Sequence, residues 1–167
     1  MIAVAETQRE PVPRNDAGEA DTALAFLTFA RHCVIKKTEG LSEEELRRPV
    51  VESGTSLLGL VWHLIDAERY WFGYQLAGQG VDDFEFPMTV PADVTSAHVI
   101  AEYREAIAES DEILANLESF DQVMAIPTQD DKRHTARWVV AHMTSETVRH
   151  AGHADILREL IDGTTGR

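Results

Sequence analysis

Apolar residues recur along this chain with a helical period of three to four positions, and the recurrence falls into four long blocks. The first runs from about Asp21 to Glu39, with Asp21 as N-cap and Gly40 just past its end. Its Ala23, Phe26, Leu27, Ala30 and Val34 share an arc of about 100° and form an apolar face. A short helix over Ser42–Arg48 follows. Ser42-Glu43-Glu44-Glu45 reads as a capping box, and Pro49 ends the helix. The second long block, about Thr55 to Ala77, is apolar around much of its circumference, which predicts a central helix. Residues 79–94 hold Gly80, Pro87 and Pro91 without helical period, and read as a long, partly extended crossover. The third block, about Ser96 to Glu118, has Thr95 at its cap and an acidic outer face of Glu102, Glu105, Glu109 and Glu112. A polar loop with Pro127 and Asp130-Asp131 leads to the fourth, Thr135 to Gly163. Four amphipathic helices without convincing strands predict an all-α four-helix bundle, with the crossover between its second and third long helices.

The fourth block breaks its own pattern. Val139, His142, Met143, Glu146, His150, His153, Leu157 and Ile161 fall within about 100°. Both ends of that stripe are apolar, while its middle carries three histidines and a glutamate. Burying such groups without partners costs about 2–7 kcal/mol each. A divalent metal ion would pair several at once. His142, Glu146 and His150 are spaced i, i+4, i+8, so neighbours stand one turn apart and two can converge on one ion. His63 lies within about 60° of Leu60, Ala67, Tyr70 and Tyr74 on the second helix and faces at least partly inward. A ligand from that helix would complete a three-ligand site with open positions, the form expected of catalytic metals. Spacing alone does not choose between the pairs His142–Glu146 and Glu146–His150.

Composition narrows the chemistry. The chain of 167 residues fits one domain, and its single cysteine, Cys33, excludes an intrachain disulfide and a thiolate-rich zinc site. No apolar run approaches the ~20 residues that span a membrane. The N-terminal stretch lacks the basic and apolar regions of a signal peptide, so the cytoplasm is the expected location. Residues 1–17 read as an arm or mobile lead-in, 18–163 as the bundle and 164–167 as a tail. The net charge of −14 opposes nucleic-acid binding. Arg47-Arg48 and Lys132-Arg133 are pairs rather than clusters. Histidine and carboxylate donors without thiolate suit zinc, nickel, iron(II) or manganese and disfavour copper(I).

Residues 56–72 and the run HMTSETVRHAGHADILREL resemble the DinB-like superfamily of metal-binding helical bundles, most closely its actinobacterial branch. That superfamily includes bacillithiol and mycothiol S-transferases and the N-terminal domain of mycothiol-dependent maleylpyruvate isomerase. The resemblance spans roughly residues 20–163. It implies one divalent ion, zinc or nickel first, held by His63, Glu146 and His150. The isomerase-like Glu/His pair is followed here by Ala151-Gly152. His142 and His153 then stand beside the ligands rather than among them. The resemblance also implies a homodimer and a low-molecular-weight thiol cosubstrate acting on a small electrophile. Metal coordination would turn a thiol near pKa 8.5, mostly protonated at neutral pH, into the nucleophilic thiolate. Two other functions fit the same ligands: a non-catalytic metal-binding stress-response protein, with His142 as a closing fourth ligand, and a metal-dependent hydrolase. Asp66, one turn from His63, is expected to accept that ring's other N–H. Arg69 and Arg149 are candidates for an anionic substrate. Trp62, Tyr70, Trp71, Tyr74 and Trp138 are expected in the core. No acidifying neighbour marks Cys33 as a nucleophile.

Overall fold

The computed structural model describes residues 8–166. Its helices are α1 (Glu19–Lys36), α2 (Glu43–Arg47), α3 (Leu57–Glu68), a π-helical segment (Arg69–Leu76) continuing α3, α4 (Ser96–Ala115) and α5 (Ala136–Asp162). Among the described residues there is no strand, only an isolated bridge between Val123 and Thr135. No helix there is long and apolar enough to cross a membrane. The protein is all-α.

The helix starts follow local chemistry. The Ser42 hydroxyl accepts from the Glu45 N–H while Glu45 reaches back to Ser42, completing the capping box. Ser56, Thr95 and Thr135 cap α3, α4 and α5. Gly163, at φ 77°, ends α5 in the left-handed conformation that glycine adopts without a Cβ penalty. Three expected boundaries shift. Gly18, not Asp21, is the N-cap of α1. The Asp21 carboxylate instead accepts from the Ala17 N–H and the Asn15 amide in the turn before it. The third long helix stops at Ala115, short of Glu118. The second leaves α-geometry at Arg69, and Ala77 N–H bonds back five residues to the Phe72 carbonyl.

Packing makes α3 the centre, against α2, α4 and α5, while α5 lies along α1 and also meets the π-helical segment. Leu27, Leu57, Leu64, Phe72, Tyr103, Val139 and Met143 form the middle of the core. On α5 the buried face includes Ala136, Val140, Thr147, Ala151, Ala154 and Arg158 beside the expected Val139, Met143, His150 and Leu157. That face is rotated by roughly 70° from the stripe of large residues read from the sequence, at 100° per residue. The small side chains let α1 approach closely, and the histidine–glutamate stripe falls at the edge of the core.

The 79–94 connection lies against α3 rather than pairing as a strand. A Cβ on Gly59 would stand 2.2 Å from the Met88 carbonyl oxygen, so this contact requires glycine. Residues 8–10 are tied to α1, where Lys36 Nζ bonds to Glu10 (2.8 Å) and to the Arg9 carbonyl, and Lys37 Nζ reaches the carbonyls of Gln8 and Gly166. Residues 1–7 of the expected arm lie outside the described residues.

Candidate metal centre

The long uninterrupted α5 sets Glu146 and His150 one turn apart, and α3 brings His63 across to face them. His63 Nε2 stands 3.4 Å from Glu146 Oε1, and His150 Nε2 stands 2.9 Å from the same oxygen. The ring centroids of the two histidines are 4.9 Å apart. One donor atom from each of the three residues lies within 4.8 Å of the others. His150 is buried, while His63 and Glu146 keep 16% and 19% of their side chains accessible.

The 79–94 connection fixes the orientation of His63. Its Nδ1 lies 3.2 Å from the Phe86 carbonyl oxygen, and the Phe86 N–H donates to Asp66 Oδ2 at 3.1 Å. Asp66 therefore does not accept from His63 directly, as expected from the sequence. It holds the N–H of Phe86, the residue whose carbonyl does, because the chain passes between the two side chains. Phe86 sits at φ 52°, a left-handed conformation that costs a bulky residue energy and is kept only where the surroundings impose it.

This arrangement faces His63 with an acceptor on each side, a carbonyl at Nδ1 and a carboxylate at Nε2. A neutral imidazole has one N–H and satisfies only one of them. With Nδ1–H donated to Phe86, the Nε2 lone pair points at an anion, a repulsion that an intervening cation relieves. Burial pushes Glu146 up, but hydrogen bonds from His150 and His63, His150's charge and Arg149 outweigh it, and its pKa lies below the usual carboxylate value. Burial pushes His150 down more than Glu146 raises it, so its pKa lies below the ordinary imidazole value. Metal ligation takes the carboxylate ionised and each imidazole with a free lone pair on its ligating nitrogen. Ligands about 2.0–2.2 Å from a tetrahedral zinc ion stand roughly 3.3–3.6 Å apart. The 3.4 Å separation between His63 and Glu146 fits that spacing, the 2.9 Å between His150 and Glu146 is shorter, and the three residues could hold a metal ion. His150 Nδ1 and Thr147 Oγ1, one turn apart, are buried without partners.

The other histidines of the stripe stay outside the donor cluster. His142 stacks on Trp138 (ring centroids 5.0 Å, 5° between planes) and meets Trp71 at 4.5 Å. Burial lowers its pKa. His153 is exposed, its ring 5.5 Å from that of His150. Arg149 reaches Glu146 Oε2 at 3.2 Å from a largely exposed position. Arg69 is committed to Glu102 and Glu109, away from the cluster. None of the five aromatic residues expected in the core is fully buried. Tyr70, Trp71 and Tyr74 join Phe84 and Phe86 in a chain of ring contacts that begins at His63 and reaches Trp138 and His142. These rings wall the cluster on the side of the α5 N-terminus. Cys33 has its thiol pushed up to about 11 by burial and by the nearby Asp155 and Glu10, which removes it as a nucleophile at neutral pH.

Two features escaped the sequence reading. The carbonyl of Phe86 leaves no signal, since any residue supplies one. The buried ion pair of Arg31 and Glu68 did leave one, a charge beside an apolar face on α1 and another within the most apolar helix. Arg31 Nε and an Nη atom bond both Glu68 oxygens at 2.7 and 2.6 Å, its other Nη bonds Asp111 at 2.7 Å, and its guanidinium lies 5.7 Å from the centre of the Phe72 ring. This clamp joins α1, α3 and α4 at the point where α3 turns into the π-helical segment.

No curated protein matches the chain. A family model does, over residues 22–163, from the first turn of α1 to the glycine that ends α5, and it spans all three residues of the donor cluster. Its description is mycothiol-S-transferase, and the chain belongs to that family.

Proposed function

We propose that the protein is a metal-dependent S-transferase that joins a low-molecular-weight thiol of the mycothiol type to a small electrophile. The observation that carries this reading is the convergence of His63, Glu146 and His150, two of them partly accessible, in a chain of the mycothiol-S-transferase family. We read the frame as a four-helix bundle of α1, α3 with its π-helical extension, α4 and α5, with the 79–94 connection crossing over.

In this reading His63, Glu146 and His150 hold one divalent ion, zinc or nickel, and leave at least one position free. When bound, the ion supplies the positive charge that keeps a thiol deprotonated at neutral pH. Glu146 contributes the only anionic donor. The Phe86 carbonyl keeps the His63 proton on Nδ1 and its Nε2 free to ligate. The ring chain from Phe86 to Trp138 limits water on one flank, so the charge of the thiolate is less screened. His142 is committed to stacking, which disfavours the closed four-ligand site expected of a storage protein.

The test is to incubate metal-loaded protein with mycothiol, bacillithiol and glutathione against a panel of electrophiles and to read adducts by mass spectrometry. Metal-dependent adduct formation with one of these thiols, lost on chelation, is the expected result. Metal-dependent hydrolysis of the electrophile without adduct would favour a hydrolase instead.

A further inference from the structure

On the opposite flank, toward the α5 C-terminus, the donor cluster adjoins a cavity of about 330 Å³. Val51, Leu60, Met88, Ile156 and Leu157 make its walls, with Ser53 and Thr55 contributing hydroxyls. His150 lines the cavity and also belongs to the donor cluster, and His153 lines it beside His150. No carboxylate, lysine or arginine is among the lining residues. Leu60 and Leu157 are almost fully buried, whereas Ile156 is 58% exposed at the surface.

We infer that this cavity binds the apolar body of the electrophile, and that the acceptor substrates are neutral hydrophobic molecules; the inference rests on the S-transfer reading above. A charged substrate would find no opposite charge here, and a hydroxyl-rich one would leave most of its polar groups without partners. Apolar groups gain by leaving water for these walls. The volume lies at the small end of ligand pockets, which suits a short alkyl chain or a single ring. A molecule lodged there presents its reactive carbon beside His150, next to the donor cluster. The polar thiol then enters from the accessible side of Glu146. For an alkyl halide, the thiolate sulfur forms a bond to carbon as the carbon–halogen bond breaks. The halide leaves with the bonding pair, and the thiol's original proton goes to solvent.

The test uses the full chain in two arms. In the first, unreactive 1-hexanol is titrated into protein followed by the imidazole resonances of His150 and His153. Both are expected to shift in wild type, and the shifts to weaken at least tenfold in apparent affinity in Ile156→Glu, which places a carboxylate at the rim from an exposed position and spares the buried core. In the second, KM is measured for 1-bromoalkanes of increasing length with the thiol saturating. KM is expected to fall about three- to fourfold per methylene until the cavity is full, and the dependence to flatten in Ile156→Glu while KM for the thiol stays unmoved. Turnover without chain-length dependence, or hexanol leaving both histidines unshifted, overturns the inference. Hexanol shifts without any thiol transfer would keep the apolar site and overturn the transfer reading from which its electrophile comes.

Discussion

Glu68→Leu should be among the most destabilising single changes in this protein, and the clamp gives its size. Arg31 and Glu68 are 2% and 0% exposed at the side chain and share two short hydrogen bonds. Removing the carboxylate leaves a guanidinium among apolar neighbours, a loss of about 3–5 kcal/mol for a broken buried pair. Asp111 still holds one nitrogen, but its side chain is 56% exposed and offsets little. The lower end, about 3 kcal/mol, is therefore expected. In a chain of this length each kcal/mol moves Tm by about 2–4 °C, so Tm should fall by roughly 6–12 °C. The partner variant is Arg31→Met with Glu68→Leu, which removes both charges and keeps the volume. It should return to within about 1.5 kcal/mol of wild type, because apolar replacements of buried pairs are often neutral or better. Thermal and urea denaturation in the presence of a chelator separates this effect from stabilisation by bound metal. A fall of under about 3 °C for Glu68→Leu, or a double variant no more stable than the single one, would show that the buried pair contributes little.

Two further outcomes follow from the site and one from Cys33. Asp66→Ala frees the Phe86 N–H and so the carbonyl that orients His63, and should weaken metal affinity about 10–100-fold without unfolding the protein; unchanged affinity in a competition titration would show that Phe86 is held by other contacts. Burial keeps His150 below the ordinary imidazole value near 6.5, and the neutral ring is the one that ligates. A lowered pKa moves proton competition to lower pH, so metal affinity should be nearly flat from pH 8 to about 6.5 and fall below it, and a decline already under way above pH 7 would contradict this. Cys33, with its thiol near 11 against an ordinary 9.0, should react with a thiol-selective reagent at pH 8 about ten- to a hundredfold more slowly than after unfolding; equal rates would place the thiol in a more polar setting.

Helix existence and every start but that of α1 were legible in the sequence because they depend on neighbours along the chain. Ser42 with Glu45, Thr95 and Thr135 act within one turn of themselves, and Gly163 ends its helix by its own backbone freedom. The pairing of Glu146 with His150 was half legible, since helical spacing offered it equally with His142, and the family resemblance selected between them. What the chain did not disclose depends on elements far apart in sequence. The buried face of α5 follows small residues such as Ala151 and Ala154, which carry little hydrophobic weight but allow close approach of α1. Asp66 lies one turn from His63, yet a peptide some twenty residues later comes between them. Of the aromatic residues assigned to the core, Trp62 and Trp71 pack against it, while Tyr70 and Tyr74 join the rings beside His63, where the turn to π-geometry after Glu68 reorients the second half of that helix. Tyr70, Trp71 and Tyr74 all belong to that half.

The transferase reading stands on one ion held by His63, Glu146 and His150. Metal content per chain after dialysis against a mild chelator tests it across wild type and the variants His63→Ala, Glu146→Gln, His150→Ala, His142→Ala and His153→Ala. Wild type, His142→Ala and His153→Ala should retain about one equivalent, His63→Ala and His150→Ala should lose it, and Glu146→Gln should hold it weakly. Retention by His150→Ala with loss in His142→Ala would move the site one turn along α5. No stoichiometric metal in any of them would make the cluster a hydrogen-bonded network and remove the basis of the transferase reading.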